Sequence, residues 1–255
     1  MIDLRHGDCL ELMKDIPDKS IDMILCDLPY GTTSCKWDIV IPFDKLWEQY
    51  NRIIKDNGAI VLFGSEPFSS QLRMSNIKNY KYDWYWLKSR SGNFIQANKR
   101  PHKRVEIISV FYKKQPTYNP QKIINPKGEQ TRCKYKLAKQ KELFVGQVST
   151  SRECSAYSDK YEPNKLLPIS LLDFENDKKP LHPTQKPVDL LEYLIKTYTN
   201  EGETVLDNCM GSGSCGVAAV KTGRNFIGIE LDEQYFEIAK ERIGKSLNEK
   251  ENKNE

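Results

Sequence analysis

The stretch ETVLDNCMGSGSCGVAAVKTGRNFIGIELD, residues 203 to 232, constrains the fold more tightly than any other part of the chain. An apolar run ends at Asp207. Gly211, Gly213 and Gly216 then form a G-x-G-x-x-G turn that leads into a helical pattern, and a second apolar run ends at Glu230. Strand, glycine turn, helix and strand in this order specify a parallel β-α-β unit whose ligand lies over the glycines, with the second acid placed to bind ribose hydroxyls. Only 25 residues follow Glu230, enough for one helix and a tail. A nicotinamide-binding half needs further β-α-β units beyond its ribose acid, so a dehydrogenase is disfavoured and the sheet has to be completed by strands from the N-terminal side.

Those strands are legible as short β-like runs: 2–8, 22–27, 59–65, 82–88, 106–113, 203–208 and 225–231. Helical patterns lie between them, at 9–14, 43–54, 67–79, 187–198, 216–222 and 232–247, an alternation that predicts an α/β fold with a parallel sheet of seven strands. Asp207 sits at the carboxyl end of its strand. A carboxylate there repels a pyrophosphate but suits an ammonium or sulfonium, and S-adenosylmethionine carries both.

The net charge of +4 conceals a strong asymmetry. Lys88 to Lys165 holds 18 Lys and Arg against 6 Asp and Glu, a surplus of +12 that the rest of the chain offsets with −8. Six of those cations, Lys88, Arg90, Lys99, Arg100, Lys103 and Arg104, fall within KSRSGNFIQANKRPHKR, and Arg132 and Lys134 follow in RCKYKLAKQK. A basic segment of this kind suits nucleic-acid phosphates, which position a protein without specifying sequence. The seven cysteines form no C-x-x-C pair and have three histidines for company, which favours buried thiols in a reducing compartment over a disulfide framework or a metal site. The N-terminus shows no basic-then-apolar leader, and no apolar run approaches the ~18 residues that span a bilayer, so a soluble cytoplasmic protein without a membrane partner is expected.

Near the N-terminus, ILCDLPYGTTSCKWD ends an apolar run at Asp27 and continues with Leu28, Pro29 and Tyr30. A capping carboxylate and a core aromatic are one reading of it on turn chemistry, and a functional strand end is the other. Taken together, DLPYG early and DNCMGSGS late resemble the beta class of DNA amino-methyltransferases, in which the catalytic motif precedes the cofactor glycine loop and a target-recognition region lies between. HGDCLELM (6–13), with Asp8 and Cys9, is similar to the segment whose acid bonds the cofactor adenine. DLPY is similar to the catalytic tetrapeptide, usually Asp-Pro-Pro-Tyr. HPTQKP, with His182, Thr184 and Lys186, resembles the motif beside the methionine end of the cofactor. DNCMGSGS, with Asp207, Asn208, Met210, Gly211, Ser212 and Gly213, resembles the Asp-Pro-Phe-x-Gly-Ser-Gly loop, and Glu230 matches the ribose acid. Leu28, Asn208 and Cys209 depart from the pattern: the first two stand for prolines, and Cys209 for an aromatic wall.

The resemblance implies a doubly wound, mostly parallel seven-stranded sheet, Rossmann-like and circularly permuted, with ligand sites at the carboxyl ends of its strands. It implies a catalytic half over 1–116, a target-recognition insertion over 117–180, a cofactor half over 181–248 and a disordered tail over 249–255. It implies methyl transfer from S-adenosylmethionine to adenine N6 in duplex DNA by base flipping. Asp27 and the Leu28 carbonyl would hold the amine, Pro29 would stiffen the turn, Tyr30 would stack the base, and Trp37 and Asp38 would order the following loop. A homodimer and a restriction endonuclease of the same system are further implied partners. Cytosine-N4 methylation, methylation of RNA or a protein amide, and a non-catalytic nucleic-acid-binding protein remain as alternatives.

Overall fold

The computed structural model describes residues 1–32, 38–92, 97–124, 165–177 and 185–252. The chain divides into two compact units, one formed by Met1–Asn119 with Ile169–Glu255 and the other by Pro120–Pro168. The strands are β1 (Ile2–His6), β2 (Ile21–Cys26), β3 (Ile54–Gly64), β4 (Tyr80–Gly92), β5 (Lys103–Phe111), β6 (Ile123–Ile124), β7 (Lys165–Leu166), β8 (Leu171–Phe174), β9 (Thr204–Asp207) and β10 (Asn225–Glu230). The helices are α1 (Cys9–Leu12), α2 (Phe43–Ile53), α3 (Phe68–Ser75), α4 (Val188–Tyr198), α5 (Ser214–Lys221) and α6 (Glu233–Glu251).

The first unit is built on an eight-stranded sheet in the order β1-β10-β9-β2-β3-β5-β4-β8. Only β5 runs against its neighbours. Parallel strands covered on both faces need apolar side chains on both, and β2 shows this. Met23 and Leu25 pack with α4 and α5 through Leu194 and Ala218. Ile24 and Cys26 pack on the opposite face with Leu46, Tyr50 and Ile53 of α2. Those three helical residues, with Trp47, recur at the spacing of one helix face, which is why α2 lies flat on the sheet. From the neighbouring pair β9 and β2 the chain winds outward in opposite directions, so a crevice opens at their carboxyl ends.

Four features differ from the sequence expectation. The strand β8 pairs parallel to β4, with Tyr85 opposite Leu171 and Lys88 opposite Phe174. It is too short and too mixed to show a period, and it is held by buried Leu172 and by the Trp86 indole donating to the Phe174 carbonyl at 2.9 Å. Residues 169–177 therefore belong to the first unit, and the second unit is narrower than 117–180. The tail expected to be disordered from 249 continues α6 to Glu251, where Lys250 donates to the Val220 carbonyl at 2.8 Å. Finally, β3 begins at Ile54, before the run read from Ala59, and pairs there with Ile21 across a register shift.

The glycine loop is fixed by two positive-φ residues. Gly213, at φ 80°, caps α5, and a Cβ on it would lie 2.8 Å from the Ala239 Cβ on α6. Gly211, at φ 52°, has no atom within 4 Å of such a Cβ. Gly213→Ala should therefore destabilise the chain by ~2–4 kcal/mol and Gly211→Ala by ~1 kcal/mol, because the first adds overpacking to backbone strain. Urea denaturation followed by far-UV circular dichroism checks the order.

Candidate active site

Five parallel strands deliver polar residues to one edge of the sheet: Asp8 after β1, Asp27 after β2, Ser65 after β3, Asp207 at the end of β9 and Glu230 at the end of β10. They line a single cavity of about 740 Å³ together with Tyr30, Phe63, Trp86 and the glycine loop.

On one side of the cavity lie the acids of the glycine-loop half. Both Glu230 oxygens accept backbone N–H groups, from Gly211 at 2.8 Å and Asp232 at 2.9 Å, which fixes the carboxylate beside the loop. Asp207 is buried and accepts the Cys209 N–H at 3.1 Å. Burial, reinforced by the nearby Asp27 and Glu230 charges, pushes its carboxyl up to about 7. Asp8 caps α1, accepting from Leu10 at 2.8 Å and Glu11 at 3.3 Å. Asn208 accepts the Tyr50 hydroxyl at 2.5 Å, so the residue standing for a proline ties the loop to α2. Met210 lies against Gly228, and Ser212 donates to Gln185 at 3.1 Å while accepting from Arg242. Cys209, standing where the resemblance has an aromatic wall, shares thiol contacts with Cys9 and Cys26. Burial pushes the Cys26 thiol up to about 12.

Opposite these acids lies Asp27. Its Oδ1 accepts the Tyr30 hydroxyl at 2.5 Å and its Oδ2 is ion-paired with Lys186. Lys186 also pairs with Glu106 at 3.0 Å, and its ammonium stands 5.1 Å from the Phe63 ring centroid. Glu106 further accepts the Tyr30 hydroxyl at 3.3 Å and pairs with Lys88. Burial raises the Asp27 carboxyl; Lys186 opposes that rise, and Glu106 adds to it. The Lys186 ammonium is held in its charged form because two carboxylates outweigh its own burial. Tyr30 lies against Phe68, with ring centroids 4.9 Å apart. Leu28 is buried, and Asp38 accepts the Gly31 and Thr32 N–H groups at 2.8 and 2.9 Å, pinning the turn after Tyr30.

The candidate residues are thus brought together in one cavity from both ends of the sequence. Pro29 and Cys9 line it as well. Of the basic residues, Lys88 and Lys103 line the cavity, whereas Arg90, Lys99, Arg100 and Arg104 are exposed on or beside the β4–β5 hairpin. His182, Thr184, Arg132, Lys134 and Trp37 lie outside the described residues. Glu106 is absent from the candidates read in sequence. Its signal is one carboxylate opening the apolar strand EIISVFYK, inside a segment otherwise crowded with cations. Among the described residues no group of three or more His, Cys, Asp or Glu is arranged to hold a metal ion, and no helix is long and apolar enough to cross a membrane.

Comparison with known proteins places this geometry in a family. A family model described as DNA methylase matches residues 21–241. A DNA adenine methyltransferase of Escherichia coli K12, YhdJ, is 29% identical over 254 residues, covering 93% of this chain and 81% of the relative. The solved complex of M1.HpyAVI with SAM is 26% identical, with a TM-score of 0.63, and covers 95% of this chain and 100% of that one. The cytosine-N4-specific PvuII methyltransferase has a TM-score of 0.64 at 17% identity, covering 97% of this chain and 91% of its own, a likeness of fold. With Asp27-Leu28-Pro29-Tyr30 and the glycine loop on adjoining strand ends of a doubly wound sheet, the chain belongs to the DNA methylase family of N6 and N4 amino-methyltransferases.

Proposed function

We propose that the chain transfers a methyl group from S-adenosylmethionine to the exocyclic N6 of adenine in duplex DNA, acting on a base turned out of the helix. The observation that carries this reading is the opening of Asp27 and Asp207, on neighbouring strands, into one cavity. The residues fit the cofactor. Gly211 presents bare backbone to open space, Glu230 is a fixed carboxylate able to accept further donors, and Asp207 supplies a negative charge opposite a cationic ligand. Asp8 and Cys9 would lie toward its adenine, and Asn208, Met210, Ser212, Gly213, His182, Thr184 and Lys186 complete the proposed set.

When bound, S-adenosylmethionine supplies a methyl group activated by its sulfonium. The exocyclic amine is a poor nucleophile because its lone pair is delocalised into the ring. Asp27 and the Leu28 carbonyl are acceptors for its two hydrogens, which favours a pyramidal nitrogen with its lone pair directed away from them. As positive charge develops on that nitrogen, the Asp27 carboxylate stabilises it and takes up the departing proton. Pro29 limits the backbone freedom of the turn, and the face of Tyr30 is a stacking surface worth ~1–3 kcal/mol per base. An extruded base costs unstacking energy that such a pocket offsets.

Adenine is favoured over cytosine because Asp27 stands at the first catalytic position, where the cytosine-N4 subset more often carries Ser, and because the relative at 29% identity is an adenine enzyme. Duplex DNA is favoured as substrate by the basic segment. Lys88, Arg90, Lys99, Arg100, Lys103 and Arg104 would contact phosphates, with Arg132 and Lys134 continuing into the Pro120–Pro168 unit that would read sequence. The 1–116 segment would be the catalytic half and 181–248 the cofactor half. Pairing with a second copy, or with a restriction endonuclease of the same system, fits this reading. A cytoplasmic location fits it as well.

Asp27→Ala should bind tritiated cofactor normally and lose transfer to DNA by ~10³-fold, since one preorganised charge-stabilising group is removed. A variant that retains the wild-type rate overturns the assignment, and label recovered in N4-methylcytosine overturns the choice of base.

Asp207 gives a pH test. A cationic ligand selects its ionised form, so the cofactor dissociation constant should rise ~10-fold per unit as pH falls below about 7 and level off above it. The same upward shift means that the folded, ligand-free chain holds this proton more tightly than the unfolded chain. Its contribution to stability is therefore lost as pH rises from 3.8 through about 7. Asp207→Asn should consequently raise the melting temperature at pH 8 while weakening cofactor binding, and calorimetry reads both.

A further inference from the structure

Glu106 has no part in the chemistry proposed above, yet it touches two of the groups that surround Asp27. Its Oε1 is 3.0 Å from the Lys186 ammonium and 3.3 Å from the Tyr30 hydroxyl, and its Oε2 is ion-paired with Lys88. The side chains of Glu106 and Lys186 are 6% and 7% exposed, whereas Lys88 is 29% exposed at the wall of the cavity. Two carboxylates and two ammonium groups thus form a chain running from Asp27 through Lys186 and Glu106 to the basic hairpin.

In this arrangement both Asp27 oxygens are taken, one by Tyr30 and the other by Lys186. An amine approaching Asp27 meets a carboxylate whose Oδ2 is engaged, and a cation beside a nitrogen that must itself become positive. A carboxylate oxygen can accept a second hydrogen, but the Lys186 charge beside it opposes the positive charge developing on the amine, so a looser hold on Asp27 favours the transfer, and a buried ammonium moves toward another anion. Glu106 is that anion, already within reach.

We infer that Glu106 is a positioning residue, the alternative seat of the Lys186 ammonium, and that a DNA phosphate drawing Lys88 away from Glu106 pulls Lys186 off Asp27 and opens the carboxylate to the target amine. The inference rests on the methyltransferase reading above. It adds a reason for phosphate contact at Lys88 to control the chemical step as well as affinity. With Lys88 paired, Glu106 divides its charge between two cations. With Lys88 on a phosphate, Lys186 is its sole ammonium partner in this chain of groups, and the nearer balance of charge moves Lys186 toward it. The hairpin is placed for this, because Arg104 donates to the Lys88 carbonyl at 3.1 and 2.9 Å and holds the base of that side chain to β5.

The test is single-turnover methyl transfer from tritiated S-adenosylmethionine in a preformed protein–DNA complex, with the cofactor dissociation constant measured by equilibrium dialysis and melting temperature recorded for each variant. Glu106→Gln should slow transfer by ~10²-fold with cofactor affinity within ~3-fold, and Glu106→Asp should recover part of the rate. Lys88→Met leaves Glu106 to Lys186 without a phosphate, so it should weaken DNA binding yet transfer ~2–3-fold faster than the wild type once DNA is saturating, and adding it to Glu106→Gln should restore nothing, because the freed seat exists only where Glu106 is charged. Near-wild-type transfer by a folded Glu106→Gln, slower transfer by Lys88→Met than by the wild type at saturating DNA, or a double variant faster than Glu106→Gln would each overturn the inference. Lys88→Met, changed at the exposed end of the chain, reads the coupling even where Glu106→Gln does not fold. A wild-type chain that transfers methyl groups while the variants match it leaves the methyltransferase reading intact; a wild-type chain that transfers none overturns both.

Discussion

The parallel pairing of β2 with β9 is the contact on which the site depends. Met23 lies opposite Val205 and Ile24 opposite Leu206, joining segments about 180 residues apart in sequence. Because the strands run the same way, their carboxyl ends coincide, and Asp27 and Asp207 emerge at the same edge. The two connections wind away from this pair in opposite directions, which opens a crevice at the edge. An antiparallel pairing would place one acid at each end of the sheet, with no shared cavity.

Gathering acids at one buried edge is costly, and the structure shows how the cost is offset. Asp207 and Glu230 are held by backbone N–H groups, and Asp27 and Glu106 by the buried Lys186. A buried charge stripped of its partner typically costs more than a surface pair contributes, so these groups are mutually dependent. Burial and the neighbouring carboxylates favour the neutral form of Asp207, which a cation bound beside it would oppose. A functional edge that is locally unfavourable and globally tolerated is common where preorganisation matters.

Much of the first unit was legible in the sequence, for physical reasons that also explain what was not. Parallel strands buried on both faces read as continuous apolar runs, so β2, β9 and β10 announce themselves, and acids standing at the ends of such runs fall at ligand-facing ends. The glycine turn is visible because Gly213 and Gly211 occupy backbone conformations that other residues adopt only with strain. The edge strand β8 was invisible, since four residues with one buried side chain carry no period. Glu106 was missed because a single acid at the head of a strand looks like a boundary, and its partner Lys186 lies 80 residues away. Lys186 itself was legible as a motif residue but not as the counter-ion of Asp27, because distance in sequence hides pairing across the sheet.

On the proposed reading, Asp27 and the glycine loop act together on an exocyclic amine of DNA. Expression of the chain in a host without DNA methylation, followed by modification-sensitive sequencing of the host genome, measures this directly. The expected result is N6-methyladenine at one recurrent short sequence and none when Asp27→Ala is expressed in its place. An unmodified genome in the presence of the folded wild-type chain, or modification that persists in the Asp27→Ala host, would contradict it.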